Sequence, residues 1–261
     1  MEILNALFRW LHILAGIIWI GMLYFFNWVN GPFVATMDGD TKKKVVPQLM
    51  PRALFWFRWG AAWTGLTGIF LLGLVFYSDK SLMFGPEGDW SAAGVIMVAV
   101  MFLAPGIYDA LQKSALGKDP KTFGAVAFVL IAIVVMLMSL WAGFEYRAFN
   151  IHMGALFGFI MAFNVWSRIW PAQQVIIRGI KGDGPAADPA LVALAGTRSR
   201  HNTYMSVPLV WAMINNHTTA FAGGNLGIPR EYSFVVFLVV VLVGWHVVWQ
   251  FYKKAGKVPG F

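Results

Sequence analysis

Cysteine is absent from the 261 residues. That excludes disulfides, iron–sulfur clusters, covalently attached c-type haem and thiolate zinc sites. Charge is scarce as well, at 12% of the chain, where a soluble domain carries about 25%. The sequence also lacks a Gly-rich phosphate loop, a G-x-S-x-G elbow and an H-E-x-x-H pair, which removes the commonest nucleotide, serine-hydrolase and zinc-protease signatures. No internal repeat is visible, which counts against a transporter built from inverted repeats. Any metal or cofactor must be held by His, Met, carboxylate or amide groups. The thirteen methionines are scattered, a pattern of packing rather than of copper ligation.

Apolar sequence fills the space left by charge. The chain is 59% hydrophobic, with a mean hydropathy of +0.65, and reads as an all-α polytopic membrane helix bundle. Seven spans are expected, at Ile3–Trp28, Leu54–Tyr77, Ala92–Leu111, Phe123–Phe144, Phe149–Trp170, Thr203–Phe221 and Tyr232–Tyr252. Each is long enough to cross a hydrocarbon core of about 30 Å. The first is too long for a signal-peptide core and is read as retained.

The net charge of +8 is distributed unevenly. Lys42, Lys43, Lys44 and Arg52 fall between the first two spans, and Lys113, Lys118 and Lys121 between the third and fourth. Arg178, Lys181, Arg198 and Arg200 fall in residues 171–202, and Lys253, Lys254 and Lys257 in the tail. The alternate loops hold Lys80, Arg147 and Arg230. Basic loops face the cytoplasm, so the N-terminus is expected outside and the C-terminus inside. The basic excess then needs no nucleic acid. Residues 1–261 are expected to form one membrane-embedded domain. Residues 171–202, containing KGDGPAADPA, are its cytoplasmic connector. Gly154 and Gly158 form a small-xxx-small pair suited to close helix packing.

Orientation sorts the polar residues by depth. His12, His152 and His217 fall toward the outer side, and His201 and His246 toward the inner side. His201 and His217 stand 16 residues apart, about 24 Å along a helix, so they cannot ligate one metal. They could serve two sites, as imidazoles do in membrane b-type cytochromes. His217 would then pair with His12 or His152, and His201 with His246. Gly16 and Trp19 share a helix face with His12, where Gly16 would leave room for a flat macrocycle and Trp19 would line it. Ordinary helix packing gives the same spacing. A second set gathers toward the inner side: Arg58, Asn27, Tyr108, Asp109, Asn164, Arg168, His201 and Asn202. An arginine among amides suits a planar, anionic, hydrogen-bonding ligand, whereas Arg168 and Arg200 read better as snorkelling interfacial cations.

Four stretches together carry a resemblance: FRWLHILAGIIWIGMLYFFNWVNGPF, ALFWFRWGAAWTGLTG, NVWSRIWPAQQ and RSRHNTYMSVPLVWAMINNH. They resemble the membrane domain of the bacterial urate hydroxylase family, also described as a urate oxidase N-terminal domain. The likeness covers essentially the whole chain, and RHNTYMSVP and NVWSRIWPAQQ are its specific parts. LHILAGIIWIGMLYF is also similar to the first helix of bacterial membrane protoporphyrinogen oxidase, where a histidine at the position of His12 is associated with haem b.

The resemblance implies conversion of urate to 5-hydroxyisourate in purine catabolism. It places the protein in the bacterial inner membrane and passes electrons to a cytochrome c. Haem b is the expected cofactor, with iron held by His12 and His217. Arg58, Asn164, His201 and Asn202 are the expected catalytic set, and His12, Gly16, Trp19, His152, His217 and His246 the expected cofactor set. In that family a further helix and a cytochrome c domain follow the membrane part. This sequence stops at KKAGKVPGF without a Cys-x-x-Cys-His, so a separate cytochrome c or another membrane partner is the expected acceptor. Two other classes stay open: a small-solute transporter using Pro105 and Pro208, and a non-catalytic haem-binding or anchoring subunit of a respiratory complex.

Overall fold

The computed structural model describes residues 2–215, 218–221 and 227–259. Among them every regular element is helical. Seven long helices follow in chain order: α1 (Glu2–Ala35), α2 (Gly39–Tyr77), α3 (Ala92–Lys113), α4 (Pro120–Trp141), α5 (Tyr146–Lys181), α6 (Pro189–Ile214) and α7 (Ser233–Ala255). Six are long and apolar enough to cross a membrane; α6 is the exception. Its middle turns carry Arg198, Arg200, His201 and Asn202, which lower its hydropathy below that of the others. Seven long helices are thus present among the described residues, and apolarity alone marks six of them as spans.

Two boundaries differ from expectation. Helix replaces most of the loop expected between the first two spans, because Asp38 caps α2. Its carboxylate accepts from the Thr41 amide at 2.8 Å and the Thr41 hydroxyl at 2.9 Å, and these bonds hold it below the usual carboxylate range. This cap starts a helix that tolerates Pro47 and Pro51 inside it. The connector expected over residues 171–202 is also largely helical. α5 runs on to Lys181, where Gly182 at φ +92° supplies the left-handed cap. α6 starts again at Pro189, so only residues 182–188 connect them.

Four helices contain a π turn, at Phe25–Asn30, Leu72–Tyr77, Leu137–Trp141 and Val165–Ile169. Such turns carry one extra residue and recur at functional sites. Here Asn27 and Tyr77 lie within them, and Asn164 immediately precedes one.

The chain divides into two compact units. The first comprises Ile69–Ile160 and Val207–Gly244, and the second Glu2–Gly68, Met161–Ser206 and Trp245–Phe261. In the first, Phe157 stacks on Phe237 at 6.1 Å and Phe102 on Phe159 at 5.1 Å. There Gly154 lets α5 approach α6: a Cβ on it would lie 2.9 Å from Ala212 Cβ and 3.0 Å from Met213 Cε. At Gly158 the clearance to Leu209 is an ordinary 3.6 Å. In the second, Gly60 of α2 packs on α1, where a Cβ would lie 3.1 Å from the Trp19 backbone nitrogen. Leu7, Trp10, Val129, Leu130, Val239 and Val243 are among the large apolar residues left exposed, as lipid contact requires.

Gly154→Val forces atoms into that α5–α6 contact and should cost about 1–3 kcal/mol. Gly124→Val, at a glycine with nothing within 4 Å of the added carbon, is the control. Thermal unfolding in detergent should show a clear drop for the first variant and little change for the second.

Candidate functional site

The second unit holds a chain of buried polar side chains. Arg198 and Asn202 stand four residues apart on α6 and so share a face. Arg198 is 2% exposed, and Asn202, Thr203, Ser206 and the facing Asn164 of α5 are fully buried. Arg198 Nη1 donates to Asn164 Oδ1 at 3.2 Å, Asn164 Nδ2 donates to Asn202 Oδ1 at 2.8 Å, and Asn202 Nδ2 donates to the Met161 carbonyl at 3.0 Å. Each amide is oriented by its neighbour. The series fixes one guanidinium and two amides on two helices.

A second series runs beside it on the same helix. Asn27 Nδ2 donates to Ser199 Oγ at 2.8 Å and to the Leu23 carbonyl at 2.9 Å, and the Tyr252 hydroxyl donates to Asn27 Oδ1 at 2.8 Å. Tyr24 and Ser206 share a hydroxyl–hydroxyl bond of 3.0 Å. Arg200 lies over the Tyr252 ring at 5.2 Å, and Tyr204 stacks on that ring at 6.1 Å. His201, half-buried, sits on α6 directly before Asn202.

Arg58 is placed differently from expectation. Its guanidinium lies 3.6 Å from the Trp170 ring centroid and 5.3 Å from that of Trp166, its Nε donates to the Leu54 carbonyl at 3.3 Å, and Trp166 Nε1 donates to the Arg58 carbonyl at 3.1 Å. A cation held between indoles has a packing role of its own. The arginine that joins Asn164 and Asn202 is Arg198. The sequence reading counted it as a cytoplasmic loop charge. The Arg198–Asn202 spacing of four was the available signal, and it becomes readable once residues 189–202 are known to be helical. Two other residues of the expected inner set have local partners: Asp109 pairs with Lys113 at 2.8 Å, and Arg168 lies over Phe163 at 5.6 Å.

His12 also lies in the second unit, on the face of α1 that meets α2. The Thr67 hydroxyl spends its proton on the Trp63 carbonyl at 2.6 Å, so it accepts from His12 Nδ1–H at 3.1 Å. That fixes the tautomer and leaves Nε2 as the lone-pair nitrogen of the ring; the imidazole also has a hydrogen bond with the Thr64 backbone. An imidazole anchored through one nitrogen with the other available has the form of an axial haem ligand. A Cβ on Gly16 would meet only Thr64 Cγ2, at 3.9 Å. Trp19 is 2% exposed, and its buried indole N–H lacks a partner, a donor suited to a carboxylate. An imidazole and an indole N–H are donor types that haem b uses, while Trp19 is held in the tight seam with Gly60.

The remaining histidines divide. His152, in the first unit, is fully buried. Its Nδ1–H donates to the Ala148 carbonyl at 2.7 Å, so Nε2 accepts from the Tyr77 hydroxyl at 3.1 Å. Phe144 and Phe76 flank the ring at 5.0 Å and 6.2 Å. Both nitrogens of His152 are engaged in this structure, in a buried hydrogen-bonded pair with Tyr77. His246 is exposed on α7, with Nε2 at 3.1 Å from Gln250 Nε2; it turns outward, where the expected pairing with His201 needs it buried. His217 lies outside the described residues. Among the described residues, no group of three or more His, Asp or Glu is placed to hold a bare metal ion.

Residues 39–259 match the profile of the family described as Urate oxidase N-terminal. No curated protein and no solved structure matches the chain. The match takes in α2 through α7, including Asn164, Arg198, His201 and Asn202, and leaves α1 with His12 outside it. The chain belongs to the Urate oxidase N-terminal family, as a polytopic helical membrane member.

Proposed function

We propose that this protein is a urate hydroxylase-type oxidoreductase of the bacterial inner membrane, converting urate to 5-hydroxyisourate. The product carries one oxygen more than urate. If electrons leave through an acceptor rather than reducing oxygen directly, water supplies that oxygen, and two protons and two electrons are released. A cytochrome c or another membrane-bound acceptor collects the electrons.

The observation that carries this reading is the Arg198–Asn164–Asn202 series. Urate is a planar anion edged with N–H and C=O groups. A guanidinium neutralises it and offers paired donors. Beyond the bonds they make to each other, to Arg198 and to Met161, the two amides keep a second N–H and a second lone pair each for its edges, and their mutual bonds hold them ready before substrate arrives. His201, which precedes Asn202 in the chain, would take the proton. Arg58 supports the wall of α2 through Trp166 and Trp170.

Haem b would be held by His12 through Nε2, with Nδ1 steadied by Thr67. When bound, the haem supplies a one-electron carrier between the substrate and the external acceptor.

Two sets of outcomes test these assignments. Protein made under haem-replete conditions should show a Soret band and be reduced by urate; a protein with haem that urate never reduces is not a urate hydroxylase. Arg198→Met and Asn202→Leu should abolish urate-dependent reduction while haem content holds. Arg58→Lys should retain most of it, and the opposite ranking would return the anion-binding role to Arg58. His12→Ala should lose the haem. Thr67→Val should keep it with about 10–100-fold weaker affinity, and Thr67→Ser should behave as the parent; measured haem retention on dilution separates the three.

A further inference from the structure

Arg58, in the second unit, is a cation without a counter-charge from the protein. Its Nε donates to the Leu54 carbonyl at 3.3 Å, and its guanidinium lies 3.6 Å from the Trp170 ring centroid and 5.3 Å from that of Trp166. Among the described residues Nη1 and Nη2 have no acceptor, and the side chain has no ion pair. The acidic residues of this unit are Glu2, Asp38, Asp40, Asp183 and Asp188. They stand at the starts of α1 and α2 or in the connector between α5 and α6.

The position is a boundary. Arg58 is four residues into the apolar run that begins at Leu54, about 6 Å along the helix. Lys42, Lys43, Lys44 and Arg52 precede it on α2, and Arg178 and Lys181 follow Trp166 and Trp170 on α5. Tryptophans gather at the level of lipid headgroups, and Trp166 meets Trp59 edge-on at 5.6 Å. Arg58, Trp166 and Trp170 are half-buried, while Phe55, Trp56 and Trp59 are exposed. The guanidinium therefore sits at the edge of a lipid-facing surface.

The donor set defines the ligand. Arginine and tryptophan side chains donate hydrogen bonds and accept none, so the ligand presents acceptors, and the unpaired positive charge selects an anion. Two neighbouring Nη groups match two oxygens of one phosphate. A zwitterionic headgroup would also bring an ammonium, which needs a carboxylate or an open aromatic face. The guanidinium already covers Trp170. An anionic headgroup leaves no such group unmet, and its acyl chains would lie along Phe55, Trp56 and Trp59.

We propose that Arg58, backed by Trp166 and Trp170, binds the phosphate of an anionic phospholipid in the leaflet at the basic ends of α2 and α5. The indoles hold the guanidinium in place before the lipid arrives, and the paired Nη contact fixes one lipid where diffuse charge would only attract many. The site is independent of the urate and haem assignments.

Native mass spectrometry of the whole protein in detergent tests this, with phosphatidylglycerol and phosphatidylcholine of the same acyl chains as probes. Phosphatidylglycerol should bind about fivefold or more tightly; equal affinities overturn the proposal. Arg58→Met, which keeps an apolar stem against the indoles, should remove that preference. Arg52→Gln, which removes a charge from the same end of α2, should keep most of it, and equal losses in the two variants would mean diffuse surface charge and overturn the site. Arg58→Lys keeps the charge and loses the fork, so it should fall between the parent and Arg58→Met; a value equal to the parent overturns the paired contact. Should Arg58→Met fail to fold, the Arg58→Lys value and the parent's preference decide. Glycerol 3-phosphate, a headgroup without chains, should compete poorly, and competition at the concentration of the lipid itself overturns a lipid site in favour of a soluble phosphate.

Discussion

A polar group surrounded by hydrocarbon has no water to fall back on, so its partner must come from the protein. That constraint organises this chain more than any single hydrophobic contact. Lipid-facing helices gain little from burying apolar side chains against one another, because the alternative environment is equally apolar. What selects a particular arrangement is the need to complete hydrogen bonds. Asn164, Asn202 and Arg198 complete one set, Asn27, Ser199 and Tyr252 another, and Tyr77 and His152 a third. Remove one member and its neighbours lose a partner that hydrocarbon cannot replace.

The same constraint explains how close helices must come. Asparagine and serine side chains are short, so their bonds require helix axes near one another. Glycine at Gly60 and Gly154 supplies that proximity for α1 with α2 and for α5 with α6. The polar series and the small residues are therefore one device: the first gives direction, and the second gives the distance at which direction can act.

The class of fold was legible from hydropathy, since long apolar runs have few other uses. The boundaries were less so. Lys42 to Lys44 with Pro47 and Pro51 read as a loop, yet the Asp38 cap and an interfacial setting sustain a helix through them. The stretch 189–202 read as connector because it is polar, although a polar helix is stable when its polarity faces other polar groups. That single misreading hid Arg198, the buried cation beside Asn164. The histidines show the opposite limit. Depth placed His12 and His152 together, but composition cannot say which ring nitrogens are already engaged. Only the Ala148 carbonyl and the Tyr77 hydroxyl reveal that both nitrogens of His152 are engaged, and only Thr67 reveals which nitrogen of His12 carries its proton.

The π turns bear on how such a protein could change over time. Each is the trace of one residue inserted into an α-helix. An added residue turns everything beyond it by about 100° and advances it by about 1.5 Å, while the helix on the near side keeps its contacts. In α1, α2 and α5 the residues at or beside these turns include Asn27, Tyr77 and Asn164. Insertion or loss of one codon there would re-aim one end of a helix as a block, so related chains could acquire different chemistry on a nearly unchanged scaffold.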